Sequence, residues 1–185
     1  MTEPSNTPEP EMTQSDVTNF LKLCSEHDVS VWIDGGWGVD ALLGEQTRKH
    51  GDLDIAIEQR HVDDLESALK AKGYEHIKRE DERPHNFVLG DNHGHQIDFH
   101  VVVLDEAGNG IYGPPENGEK FPASSLKGKG KIGDLEVKCI SPEDMVIFHT
   151  QYEPDEDDYH DVKLLCDRFK IPLPEIYKKF EAQAV

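Results

Sequence analysis

Asp52 and Asp54 stand two residues apart in the run DLDIAIE, residues 52–58. In an extended strand that spacing sends both side chains to one face. Neighbouring carboxylates repel each other, and the repulsion is relieved when a cation sits between them. Mg²⁺ meets that need, since it prefers oxygen donors and shares its shell with substrate phosphates. The plainer reading of the pair alone is two solvated charges on a strand edge. A third acid, Asp98, falls between Ile97 and Phe99 in the apolar run HQIDFHVVV, residues 95–103. Buried acids are rare unless paired, so a strand holding Asp98 beside DLDIAIE completes a three-carboxylate cluster.

Upstream, the apolar run VSVWID, residues 29–34, ends in Gly35 and Gly36 before the helix-forming pattern WGVDALLG. A strand that turns into a helix through two glycines lets backbone amides approach an anion, and the helix N-terminus adds partial positive charge. A Gly-Gly pair by itself marks only a turn. With Arg48, Lys49 and His50 immediately before the aspartates, it reads as a phosphate site facing a metal site. That combination suggests metal-assisted transfer of a nucleotidyl or phosphoryl group.

Several other residues carry two readings. The run HGHQIDFH, residues 93–100, has the composition of a zinc site. Strand alternation separates His95 from His100, however, so His93 and His95 read as exposed hairpin histidines and His100 as a wall beside Asp98. Asp34 reads as a local turn contact or as a border of the acceptor, and Trp37 as core. The acidic run EPDEDD, residues 153–158, is a solvated loop or an attractant for a cationic acceptor. Tyr112 and Phe121 either form a lid over an acceptor or fall by chance in a long loop.

These groups must be positioned by a chain of 185 residues, enough for one domain with a small helical appendage. Its 38 acidic and 19 basic residues leave a net charge of -19, which disfavours nucleic acid and anionic membranes as partners. No run reaches membrane-spanning length, the first residues have no apolar leader segment, and three scattered cysteines read as reduced, buried thiols in a cytoplasmic protein. Residues 1–14, rich in proline and acid, are expected to be a disordered, dispensable tail. From Ser15, read as a helix N-cap, the pattern runs α-β-α-β-α-β-β-β, with the last three extended segments near residues 74–78, 85–89 and 96–103. Residues 105–131 are too rich in Gly, Pro and Lys for a regular element, and LEVKCI, residues 135–140, reads as an edge strand. Ser141, Pro142 and Asp144 form a capping-box start for a helix, and residues 157–169 and 174–183 read as two more. The expectation is an α/β (α+β) fold, with a core over residues 15–140 built on a mixed sheet and a helical subdomain over residues 141–185.

Residues 35–55, GGWGVDALLGEQTRKHGDLDI, resemble the signature of the nucleotidyltransferase superfamily, in which a Gly-Gly or Gly-Ser turn precedes an Asp-x-Asp strand. More narrowly the chain resembles the small antibiotic nucleotidyltransferases, the lincosamide and aminoglycoside 2''-adenylyltransferase group. The similarity extends through IDFH, KCIS, FHTQY and HDVKLL, from about residue 15 to 169. The resemblance implies ATP as donor, Mg²⁺ as cofactor with two ions, and a small, cationic antibiotic hydroxyl as acceptor. It implies that Asp52 and Asp54 hold the metals and that Asp98 is a further ligand or the general base. It also implies that Gly35 and Gly36 line the triphosphate, that Arg48 offsets its charge and that Lys163 is a second clamp. A protein- or RNA-modifying enzyme of toxin–antitoxin type and a non-catalytic nucleotide-binding domain remain alternatives on the same fold.

Overall fold

The structure, a computed structural model, describes residues 11–181. In chain order the elements are α1 (Gln14–Glu26), β1 (Val31–Ile33), α2 (Gly35–Leu43), β2 (Leu53–Glu58), α3 (Val62–Lys70), β3 (Glu75–Ile77), β4 (Asn86–Gly90) and β5 (Gln96–Leu104). They continue with β6 (Gly110–Tyr112), β7 (Lys120–Phe121), β8 (Gly128–Ile132), β9 (Leu135–Cys139), α4 (Pro142–Phe148), α5 (Glu156–Phe169) and α6 (Lys178–Glu181). One mixed sheet runs β3-β4-β5-β2-β1-β9-β8, with β6 paired to β5 and β7 to β6. The β2–β5 and β1–β9 pairings are parallel and the others antiparallel.

Register decides what each face of the sheet carries. Ile33 pairs with Ile55 and Ile55 with Phe99, so these side chains share a face with Leu53, Ile57 and Ile97. All are essentially fully buried, against Val17, Phe20 and Cys24 of α1 and Leu65 and Leu69 of α3. The opposite face carries Trp32, Ala56 and Val102, which belong to a second core with Met145 and Val146 of α4 and Val162 and Leu165 of α5. By alternation Asp54, Asp98 and His100 fall on this second face. The strands therefore aim their acids at the C-terminal helices.

Helix ends follow their local chemistry. Thr13 caps α1 in a reciprocal capping box with Asp16, displacing the expected Ser15 cap by two residues. Asp34 caps α2 by accepting from the Gly35 amide at 2.8 Å, and Gly44 ends that helix with φ +83°, as its sequence position suggests. Ser141 caps α4 with Pro142 in the first turn. The Asp144 carboxylate turns to the Ser141 and Ser124 hydroxyls instead of closing the box on the cap backbone. Asp155 and Asp158 make a full box on α5, so two acids of EPDEDD have structural work. Pro174 opens a 3-10 turn, Glu175–Tyr177, before the four-residue α6, and the end of the longer helix expected there lies outside the described residues.

Three expectations are corrected. Residues 105–131 are not irregular: they contain β6, β7, two 3-10 turns and most of β8, a strand whose GKGKI sequence lacks apolar alternation. LEVKCI is not an edge but lies between β1 and β8. The expected tail is also too long at its C-terminal side. Residues 1–10 lie outside the described residues, but Met12 is fully buried, its amide donates to His50 O at 2.8 Å and its carbonyl accepts from Trp37 Nε1 at 3.1 Å. Met12→Ala is therefore expected to cost about 2–4 kcal/mol in urea unfolding, as a core cavity does, where a solvated tail position costs nearly nothing.

Candidate active site

The strand-to-helix turn Asp34-Gly35-Gly36, the start of β2 and the segments around β6–β7 and α4–α5 enclose a cavity of about 820 Å³. Gly35 sits at φ +54°, and a Cβ there would meet Asp54 Oδ2 at 2.1 Å. A Cβ on Gly36 would meet His50 Nδ1 at 2.4 Å and an Arg48 guanidinium nitrogen at 2.8 Å. The glycines thus serve two needs: the turn itself, and the close stacking of a helix N-terminus on a carboxylate and a cationic corner. Beneath them lies a buried chain of polar contacts. Asp40 binds His50 Nε2 at 2.5 Å through one carboxylate oxygen and receives the Thr47 amide and hydroxyl on the other.

Asp54 pairs with Asp98 across the parallel β2–β5 ladder, and Asp52 lies two residues before Asp54 on the same face. The field of the cluster is legible in the ionisation of Asp52 and Asp98. Burial first, then the charges of Asp54 and Asp98, push the Asp52 carboxyl up to about 6. Asp98 is raised by burial and by Asp54, against the opposing pull of His100 and Arg79. One Asp98 oxygen is buried without a hydrogen-bond partner, and the other accepts from Arg79 at 3.1 Å. His100 Nε2 lies 3.8 Å from Asp54 Oδ1. Burial opposes its charge, yet the Asp54, Asp34 and Asp98 carboxylates together raise its imidazole to about 9. Asp34, almost wholly buried, is raised by that burial and lines the same cavity.

Asp52, Asp54, Gly35, Gly36 and Arg48 all line the cavity; Asp98 does not, and is paired with Arg79. Arg48 is already engaged: its Nε and a terminal nitrogen grip Asp161 at 3.0 and 2.6 Å, and Asp157 lies 3.6 Å away. Lys163 does not join the site. Its ammonium is exposed and bonds Asp167 at 2.5 Å one helical turn on, because it lies two residues beyond the inward-facing Asp161 on α5. Tyr112 and Phe121 do wall the cavity, as members of β6 and β7 packed edge to face with each other, and Phe121 packs in the same way on Phe148. Tyr152, whose hydroxyl donates to Asp158 at 2.7 Å, and His149 complete that side. His95 binds Asp91 at 2.8 Å away from His100, in line with the alternation argument. Arg79, Asp161 and the Asp40–His50 pair carried no spacing signal, since each meets its partner only through the fold.

A divalent ion fits the donor set. The Asp54 charge raises both Asp52 and Asp98, one Asp98 carboxylate oxygen is orphaned, and the N-terminus of α2 stands beside them. Among the described residues no group of three or more His, Cys, Asp or Glu side chains is arranged to hold a metal ion by itself. The set suits a shell completed by substrate phosphate better than an all-protein cage.

This sheet, with its carboxylates opposite a Gly-Gly helix start, defines a nucleotidyltransferase. The chain belongs to the aminoglycoside-2''-adenylyltransferase family, which it matches over residues 16–165, and so to the small antibiotic nucleotidyltransferases. It is 30% identical over 157 residues to a lincosamide resistance protein of Staphylococcus haemolyticus, covering 83% of this chain and 94% of that one. It is similar to a crystal structure of the lincosamide antibiotic adenylyltransferase LnuA bound to lincomycin, with TM-score 0.74, 29% identity and coverage of 88% and 99%. A structure of ANT(2'')-Ia in complex with adenylyl-2''-tobramycin shares the fold, with TM-score 0.66, 18% identity and coverage of 93% and 98%. No helix among the described residues is long and apolar enough to cross a membrane.

Two glycines with positive φ separate backbone strain from site geometry. Gly44 has nothing within 4 Å of an added Cβ, so Gly44→Ala is expected to cost about 1 kcal/mol of stability and leave turnover intact. Gly35→Ala forces Asp54 aside as well, and turnover is expected to fall at least about 100-fold. Steady-state kinetics and denaturant unfolding on both variants check the pair.

Proposed function

We propose that the protein transfers the adenylyl group of ATP, with Mg²⁺, to a hydroxyl of a small antibiotic, with a lincosamide as first choice and an aminoglycoside as second. The observation that carries the reading is the Asp54–Asp98 register, which sets a third carboxylate beside the Asp52–Asp54 pair at the mouth of α2. The aromatic wall of Tyr112, Phe121 and Phe148 favours an acceptor with an apolar portion over a purely polycationic one. The 30% identity with the lincosamide resistance protein supports the same order.

In this reading the backbone at Gly35 and Gly36 and the α2 N-terminus receive the phosphates. Arg48, held by Asp161, supplies fixed positive charge at their side. Asp52 and Asp54, with Asp98, would hold Mg²⁺, which when bound would supply positive charge against the charge that develops in the transfer. The acceptor hydroxyl forms its bond to the α-phosphorus as the bond to pyrophosphate breaks in line, and the leaving group departs with that electron pair. Asp98 takes the hydroxyl proton, a role suited to a carboxyl raised by burial. The modified acceptor then carries a bulky anionic group, which would confer resistance.

Asp54→Asn is expected to abolish transfer, and Asp98→Asn to slow it by about 10²–10⁴-fold, each with an unchanged circular dichroism spectrum. The function itself is tested by incubating the protein with Mg²⁺, each nucleoside triphosphate in turn, and a panel of lincosamides and aminoglycosides. An AMP adduct on an antibiotic by mass spectrometry supports the reading, whereas pyrophosphate-free ATP binding across the panel refutes it.

A further inference from the structure

The two arginines of the site are held in opposite ways. Arg48 grips Asp161, whose side chain is 0% exposed, through two nitrogens, and it also donates to Lys49 O at 3.0 Å. That is a fixed structural pair. Arg79 comes from the connection between β3 and β4, has a side chain 39% exposed, and meets Asp98 through one nitrogen and one oxygen only. The second Asp98 oxygen stays buried and unpartnered beside this contact. A guanidinium that intended to satisfy the carboxylate permanently would take both oxygens, as Arg48 does. A single bond from an exposed side chain is cheap to break, because water replaces it.

Resting on the divalent-ion reading of the site, we infer that Arg79 is a displaceable counter-cation: it neutralises the carboxylate face while no ion is bound and swings to solvent when one binds. Arg79 is a positioning residue in this scheme and touches no substrate. It keeps Asp54 and Asp98, adjacent across the ladder, from repelling each other in the empty enzyme. It also competes with the ion, so that the ion binds weakly alone and firmly with a triphosphate that contributes its own oxygens. His100 faces the cluster from β5 itself, 3.8 Å from Asp54, and is a second positive group that the substitution of Arg79 leaves untouched.

The test is Mn²⁺ titrated into nucleotide-free protein, with free ion followed by electron paramagnetic resonance. Asp54→Asn measures diffuse binding to the acidic surface, and that background is subtracted. Arg79→Met is expected to bind Mn²⁺ at least about fivefold more tightly than the wild type, with Arg79→Lys close to wild type. Should Arg79→Met fold poorly, Arg79→Gln keeps the hydrogen bond without the charge and is read in the same way. Asp54-dependent binding of equal or lower affinity in the uncharged variants overturns the role of Arg79 and leaves the ion site standing. Absence of Asp54-dependent binding in every variant overturns both.

Discussion

The constraint on which the site depends is the gathering of like charge on one half-buried sheet face. Asp52, Asp54 and Asp98 are brought together by a parallel pairing, and Asp34 joins them from the cap of α2. In a medium less polar than water such a cluster is costly unless opposite charge is near. The surrounding structure supplies that charge in graded form. His100 sits in the same wall with its imidazole raised, Arg79 reaches in from a loop, and the α2 N-terminus adds partial charge. None of these encloses the acids, and the residual deficit is what a cation with a polyphosphate would fill.

The same constraint explains the division of labour between the two sheet faces. One is apolar across its central strands, packed on α1 and α3, and makes a rigid base. The other mixes apolar contacts to α4 and α5 with the acids, so the C-terminal helices are part of the site and not a separate appendage. Arg48 ties them together: it projects from the segment before β2 and ends on Asp161, buried in α5. Losing Arg48 would leave Asp161 as an unpaired buried carboxylate, a larger penalty than the pair's own contribution. The resulting cavity has acids and the Gly35–Gly36 helix start at one end and aromatic rings at the other, an arrangement suited to joining a charged donor to a partly apolar acceptor.

Much of this was legible in the sequence because strand periodicity is strict. Asp52 and Asp54 had to share a face, Asp98 and His100 had to share another, and only the pairing of the two strands needed the structure. Caps were legible where side chain and spacing agreed, as at Ser141 and Gly44. What escaped had no local period. The strand GKGKI hides behind small residues, since Gly130 runs against the α2 backbone, where a Cβ would lie 2.2 Å from Ala41 O. Met12 reads as part of a solvated tail because a single apolar residue among polar ones has no pattern, yet it is buried and its carbonyl accepts from Trp37. Lys163 shared a segment with family resemblance, but helical geometry puts Asp161 inward and turns Lys163 to solvent.

On the proposed function, the acids and the α2 N-terminus act as one device for a metal-bound triphosphate. Crystals grown with Mn²⁺ and a non-hydrolysable ATP analogue, measured at the manganese absorption edge, test it most directly. The account predicts anomalous density against Asp52 and Asp54, with the analogue's phosphates lying between that density and the Gly35–Gly36 turn. A triphosphate bound elsewhere, or one at the turn with no manganese at the carboxylates, would contradict it.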